Sequence, residues 1–361
     1  MTAELEKNAS GGDPAAQLAL ARQLIGEGKV EAAVDWLSKA ATAGLTEAKL
    51  ALAERLLAYA PYDVFEGCKW ARTAAEEGNG KAAHLLAVAT AEGLGTAQNL
   101  QLALDHLQHS AELGDEPAQR ELRALAGDFN RANAVSANVG QDRWRKLRTS
   151  IDLASWLKSP QPTVVSASPR ILVVEKFMSH DVCDWLIDAA RSDLKRAETF
   201  DPETGRGQYE SARTNSAAPF SVAAMDMVLV LVRARIAALT RLPILGFEDP
   251  TVLHYAPGEE FRPHYDFLEA ISPAFAHEIQ TGGQRMVTFL GYLNDDYDGG
   301  ETAFPMLHWR YKGKRGDAMF FFNVTPDGTP DRRTVHTGTP PARGEKWLLS
   351  QWIRFRPPTM R

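Results

Sequence analysis

A glycine followed four residues later by an alanine recurs through the first third of the chain, at Gly12/Ala16, Gly44/Ala48, Gly78/Ala82 and Gly114/Ala118. The intervals are 32, 34 and 36 residues. Eight residues before the last three glycines stand Trp36, Trp70 and His106. Each block reads as two short helices, GDPAAQLALARQLIGEG and then VEAAVDWLSKAATAG, with apolar residues three and four apart in both. Small alanines let paired helices approach closely, and a glycine supplies the left-handed residue that ends the second helix. One such block cannot bury its apolar face alone, so a period of this length implies stacked copies, a helical solenoid over residues 1–126.

The spacing, together with Lys39-Ala40-Ala41-x-x-Gly44, resembles the Sel-one-like variety of tetratricopeptide-like repeats over roughly residues 10–126. The third copy departs from it, with His106 where tryptophan would stand. The resemblance implies a concave face that holds a peptide or protein partner; the plainer alternative is a stabilising helical cap.

Residues 127–138 lose the periodicity and read as a linker. Asp142–Leu157 regains it through Trp144, Leu147, Ile151 and Trp156, as one amphipathic helix. The Pro- and Ser-rich run SPQPTVVSASP marks a boundary near 168, which gives a linker segment over 127–168 and a second domain over 169–361. Arg170–Lys176 reads as a buried strand, Ser179 as a helix cap, 199–220 as an exposed, mobile loop, and 221–241 as a long buried helix. From residue 250 the pattern is strand, turn, strand: Thr251–Ala256, Arg285–Leu293, Glu301–Phe304, Ala318–Val324 and Lys346–Phe355. Regular short strands imply a sandwich or barrel, here a double-stranded β-helix, or jelly roll, with flanking helices.

This β-rich half carries the chemistry. His264 and Asp266 have one residue between them, and His336 lies 72 positions downstream. Two imidazoles and a carboxylate on three cis positions make the facial triad of non-haem Fe(II) oxygenases, with three positions left open. Alternation along the last strand puts Lys346, Leu348, Ser350, Trp352 and Arg354 on one face. An ammonium aimed into an apolar barrel needs a counter-charge. The far carboxylate of 2-oxoglutarate supplies one, and Tyr255 is placed to hydrogen-bond it.

Residues 169–357 resemble the prolyl 4-hydroxylase type of Fe(II)/2-oxoglutarate dioxygenase. The resemblance is carried by Tyr255-x-x-Gly258 before His264-x-Asp266, Gln284-Arg285-x-x-Thr288, Tyr292-Leu293-Asn294, Gly299-Gly300-Glu301-Thr302-x-Phe304-Pro305, His336 with Lys346 ten residues on, and Arg213-Thr214-Asn215-Ser216. It implies His264, Asp266 and His336 as iron ligands, Lys346 as the 2-oxoglutarate anchor, and Tyr255 and Thr302 as its helpers. It also implies Trp352 near the metal and Arg285, Glu248 and Arg213 facing the primary substrate. O2 is the implied oxidant and ascorbate a further cofactor. The plainer alternatives are core packing for Trp352 and pairing with nearby carboxylates for Arg285 and Arg213. Many members that act on peptidyl proline carry tyrosine three residues before the first ligand; here it is Phe261, without the hydroxyl.

The expected function is hydroxylation of a peptidyl substrate, proline in a protein foremost. The alternatives are hydroxylation of a free amino acid or small molecule, or a repeat-based adaptor whose oxygenase fold is inactive. A formal net charge of −6 excludes no enzyme but argues against nucleic acid as a partner. No apolar run reaches the length of a membrane span, and the first residues lack a signal-peptide core. Cys68 and Cys183 form no metal-type pair or disulfide framework. These features lead to an expected cytoplasmic location without a membrane partner.

Overall fold

The computed structural model describes residues 2–58, 63–129, 142–158, 160–200, 207–220, 225–271 and 273–355. The chain divides into two compact units, one made of Met1–Leu153 with Val222–Val230 and the other of Ala154–Ser221 with Leu231–Arg361. Among the described residues no helix is long and apolar enough to cross a membrane.

The first unit is built from α1 (Thr2–Ser10), α2 (Pro14–Gly26), α3 (Val30–Thr42), α4 (Thr46–Ala58), α5 (Val64–Glu76), α6 (Gly80–Glu92), α7 (Leu100–Glu112) and α8 (Glu116–Ala126). The repeating glycines stand at the expected turns. Gly12, Gly44, Gly78 and Gly114 have φ of 91°, 97°, 88° and 91°, left-handed values that side chains with a Cβ resist. Asp13, Asn79 and Asp115 then cap the following helices through their side-chain oxygens. The helices touch through alanine and leucine: Ala33, Leu37, Ala40, Ala48 and Leu52 are buried together, with Trp36 and Trp70 packed against them. Small side chains at these positions set the close helix spacing that the sequence pattern implies.

The segment expected as one amphipathic helix is two, α9 (Asp142–Ser150) and α10 (Leu153–Leu157). At the break, Thr149 and Ser150 turn their hydroxyls back onto the carbonyls of Arg145 and Leu147, which competes with continuation of the helix. Arg148 ties α9 to α7 through Asp105 and the Gln101 carbonyl. The linker expected at 127–138 lies outside the described residues beyond Phe129.

The second unit contains β1 (Thr163–Ala167), β2 (Arg170–Val174), α11 (His180–Arg191), β3 (Lys195–Arg196), β4 (Thr199–Phe200), β5 (Gly207–Gln208) and β6 (Ser216–Pro219). After α12 (Met227–Thr240), whose first residues fall in the other unit, come β7 (Thr251–Tyr255), β8 (Phe261–His264), α13 (Pro273–Gly282) and β9 (Gln284–Tyr292). The chain closes with β10 (Asp298–Gly299), β11 (Thr302–Phe304), β12 (Trp309–Tyr311), β13 (Ala318–Phe322), β14 (His336–Gly338), β15 (Pro341–Arg343) and β16 (Lys346–Phe355). An eight-stranded sheet runs β1-β2-β13-β9-β16-β7-β6-β3, and a four-stranded sheet runs β12-β11-β14-β8. Ile171, Leu253, Leu290, Met319 and Leu348 from the large sheet pack with Phe304 and Phe261 from the small one. This is the expected jelly roll: two antiparallel sheets with one apolar core between them.

Three expectations change. The polar run 199–220 is not simply an exposed loop: β4, β5 and β6 lie in it, β6 joins the large sheet beside β7, and Arg213 and Asn215 are buried. Its residues 201–206 lie outside the described residues. The helix expected over 221–241 begins at Met227, and 221–224 are likewise outside them. Finally, β8, β12 and β14 add to the expected strands, and two of them carry the candidate metal ligands.

Candidate active site

The small sheet brings the triad together. β14 pairs with β8 so that His336 lies directly opposite His264, and their rings are 4.3 Å apart. Asp266 follows two residues after His264, past the end of β8. His264 Nε2 is 3.7 Å from Asp266 Oδ1, and His336 Nε2 is 3.5 Å from Oδ2. One ligand atom from each of the three residues lies within 4.8 Å of the other two.

Backbone groups choose the tautomer. His264 Nδ1 is 2.8 Å from the Arg262 carbonyl oxygen, and His336 Nδ1 is 3.1 Å from that of Thr334. A carbonyl only accepts, so each Nδ1 carries the proton and each Nε2 keeps its lone pair for a metal. Burial, with the neighbouring His336, pushes His264 down to about 3, so it stays neutral and ligand-ready at ordinary pH. For Asp266, burial works to raise the carboxyl. The two imidazoles, the Thr288 hydroxyl and Arg285 outweigh it and hold the group below the usual carboxylate range. Aromatic rings enclose the ligands. Phe261 stacks on His264 at 3.4 Å between ring centroids, and Phe321 meets His336 edge-on at 4.8 Å.

Lys346 opens β16 and pairs in register with Tyr255 on β7. Its side chain is fully buried, and among the described residues Nζ has no hydrogen-bond partner. The amine sits 4.9 Å from the centre of the Tyr255 ring. Burial pulls it down from 10.5 to about 7, against the opposing pull of Glu301. The Tyr255 hydroxyl lies 3.1 Å from where a Cβ on Gly338 would stand, two residues along β14 from His336. Gly338 in turn pairs with Thr302 on β11. Lys346, Tyr255 and Thr302 are thus linked, strand to strand, with the strand that carries His336. Two Nε2 lone pairs and a carboxylate suit a ferrous ion. An orphaned buried ammonium suits the far end of a dicarboxylate, so both groups fit the residues present.

The residues expected to face a substrate form a second group. Arg285 makes a two-pronged bond to Glu248, Nε to Oε1 at 2.7 Å and Nη2 to Oε2 at 2.9 Å. Arg354 also donates to Glu248 Oε1, at 2.6 Å. The Arg285 guanidinium lies 3.6 Å from the centre of the Trp352 ring, and its Nη1 is 3.5 Å from the Asp266 carbonyl oxygen. Trp352 pairs with Thr288, whose hydroxyl donates to Asp266. Arg213 is buried and bonded to Asn215 and to the Glu198 carbonyl, and its guanidinium lies 4.5 Å from the Phe261 ring centre. Two features went unread in the sequence. One is the role of Arg354 as second partner of Glu248; the other is the sandwiching of Phe261 between His264 and Arg213.

The family model of the 2OG-Fe(II) oxygenase superfamily matches residues 250–354. Probable prolyl 4-hydroxylase 3 of Arabidopsis thaliana is 34% identical over 211 residues, which is 53% of this chain and 71% of that protein. Among solved structures, the 2OG complex of the viral collagen prolyl hydroxylase vCPH from Paramecium Bursaria Chlorella virus-1 aligns at 26% identity and a TM-score of 0.40, over 52% of this chain and 96% of that one. A Sel1 repeat protein from Oxalobacter formigenes aligns at 30% identity and a TM-score of 0.30, over 34% of this chain and 96% of that one. Shared identity at this level over more than two thirds of a curated relative, joined to the superfamily match, means that the chain belongs to the prolyl 4-hydroxylase family of 2OG-Fe(II) oxygenases.

Proposed function

We propose that this protein hydroxylates a peptidyl substrate, proline in a protein foremost, using Fe(II), 2-oxoglutarate and O2. The observation that carries the proposal is the Lys346 amine, fully buried and unpaired on a strand beside Tyr255. A buried ammonium without a partner is costly and calls for an anionic one. When bound, the iron would let O2 act as the oxidant, one oxygen atom going to 2-oxoglutarate as it becomes succinate and carbon dioxide and the other into a C–H bond of the substrate.

In this proposal His264, Asp266 and His336 hold the metal, and their Nδ1 bonds to backbone carbonyls keep the imidazoles aimed. Lys346 holds the distal carboxylate of the cosubstrate, with the Tyr255 and Thr302 hydroxyls as further donors. Trp352, Arg285, Glu248 and Arg213 form the side that meets the substrate, Arg285 being stiffened by Glu248 and by stacking on Trp352. Burial of Asp266 and His336 limits water in the reacting region, while His264 stands at its more open edge. Ascorbate serves as a reductant that keeps the iron ferrous. The helical repeats dock the protein that carries the target residue. A cytoplasmic setting is supported by the two free, buried cysteines.

The test is Fe(II)-dependent release of succinate from 2-oxoglutarate, compared between proline-containing peptides and free amino acids, with His264→Ala as control. Turnover stimulated by peptide and lost in the control is expected. Stimulation by free amino acids alone would reassign the substrate class, and no turnover with either would leave the adaptor alternative.

A further inference from the structure

Beyond the three ligands, one fully buried polar side chain in this region has no role in the chemistry above. Asn323 follows β13 and is 0% exposed. Both its main-chain groups are fixed: its N–H donates to the Met286 carbonyl at 2.8 Å, and its carbonyl accepts from Asp331 at 2.9 Å. Its side-chain Nδ2 donates to Thr288 Oγ1 at 3.0 Å, and Thr288 Oγ1 donates to Asp266 Oδ2 at 2.7 Å.

The direction of this chain follows from proton counting. A metal-ligating carboxylate is an acceptor only, so the bond to Asp266 must use the single proton of the Thr288 hydroxyl. Thr288 then has only lone pairs left, so Asn323 must present its N–H and not its carbonyl. The orphaned Asn323 Oδ1, buried without a partner among the described residues, is the cost of that orientation. A side chain kept in place at such a cost does something that packing alone does not require.

We propose that Asn323 and Thr288 act as a positioning relay: Asn323 orients the Thr288 hydroxyl, which sets the rotation of the Asp266 carboxylate so that it faces the two imidazoles. The relay rests on the assignment of His264, Asp266 and His336 as metal ligands. Partners behind the ligands of a metal centre commonly contribute about 10- to 100-fold to metal affinity. Thr288 pairs directly with two neighbours at once, Trp352 on β16 and Phe321 on β13, so its own place is well fixed.

The experiment is titration of the metal-free protein with Co(II), without 2-oxoglutarate, reading both affinity and the visible absorption bands that report ligand geometry. Thr288→Val, which keeps the shape but removes the hydroxyl, is expected to weaken binding about 10- to 100-fold and to shift the bands. Thr288→Ser restores both. Asn323→Leu weakens binding severalfold with little loss of thermal stability, because it also removes the orphaned carbonyl. Wild-type affinity and bands in a folded Thr288→Val or Asn323→Leu protein would overturn the relay while leaving the ligand assignment intact. Wild-type protein that binds Co(II) no better than His264→Ala would overturn the ligand assignment, and the relay with it.

Discussion

Replacing Lys346 with methionine probes the proposed cosubstrate site through stability before any turnover is measured. The amine is buried, unpaired, and pulled from 10.5 down to about 7. Between those two values the unfolded chain holds the proton and the folded chain does not, so wild-type stability rises with pH across the window. Below about 7 both states are protonated, and the folded state bears the whole cost of a buried ammonium. A drop of about 3.5, at about 1.4 kcal/mol for each unit of pH, amounts to roughly 5 kcal/mol. Local relaxation and water entry reduce this to a few kcal/mol. Methionine keeps the unbranched chain without the charge. Without cosubstrate, the Lys346→Met protein should therefore be more stable than wild type by a few kcal/mol at about pH 6.5, and the gap should close towards about pH 10. Adding Mn(II) and 2-oxoglutarate should work the other way. Wild type gains about 2.7 kcal/mol at about one hundred times its Kd. The variant gains little, because losing one half of a buried charge pair costs about 2–5 kcal/mol, or about thirty- to several-thousand-fold in 2-oxoglutarate affinity. Urea denaturation followed by circular dichroism across this pH range, with and without both additions, measures each effect. Equal pH slopes in the two proteins, or a variant less stable than wild type at about pH 6.5, would refute an uncompensated amine at this position.

Glu248→Gln should cost about 2–4 kcal/mol near neutral pH, because the carboxylate lies between Arg285 and Arg354 and its loss leaves the buried Arg285 guanidinium without a carboxylate, while Arg354 keeps Glu278. Burial works to raise Glu248, but the two arginines hold it below 4.5; its contribution is therefore present above that value and lost as pH falls through the lowered one, where the urea midpoints of the two proteins should converge. Gly316 has φ +87°, and a Cβ there would stand 2.4 Å from the Met178 carbonyl oxygen. Since backbone cannot step aside as a flexible side chain does, Gly316→Ala should lower unfolding free energy by at least about 2 kcal/mol, again read from the urea midpoint.

The repeats were legible because each helix finds its partners close by in the chain. Gly44 is read as a helix end from its place after Lys39-Ala40-Ala41, and the fold gives it the left-handed φ that place requires. The long strands β9 and β16 were legible for another reason: nine or ten residues suffice to show an apolar run or an alternation. β8, β12 and β14 have three or four residues each, too few to show any period. They exist because partners far along the chain complete their hydrogen bonds, as when His336 closes onto His264. In the polar run 199–220 the same holds for β6, which is a strand because β7 offers it an edge and not because Ser216–Pro219 favours one.

The site was legible as a set of chemical types and not as a set of pairings. A carboxylate and two imidazoles name a metal by their identity, and a lysine on an apolar face names an anion by its cost. For arginine and glutamate the identity of the residue decides far less. Arg285 and Glu248, 37 residues apart, were each expected to face a substrate, with pairing to a nearby carboxylate the alternative for Arg285; the two are paired, and Arg354 completes the set from β16. With the charge of Arg285 largely met by Glu248, what the guanidinium offers a ligand is a flat surface stacked on Trp352 more than an open positive charge. Arg213 differs in its partners, the Asn215 amide oxygen and the Glu198 main-chain carbonyl, neither of them a carboxylate, while its plane rests over Phe261. The flank of the candidate metal ligands is therefore built from ring faces and guanidinium planes, one of them paired with a carboxylate.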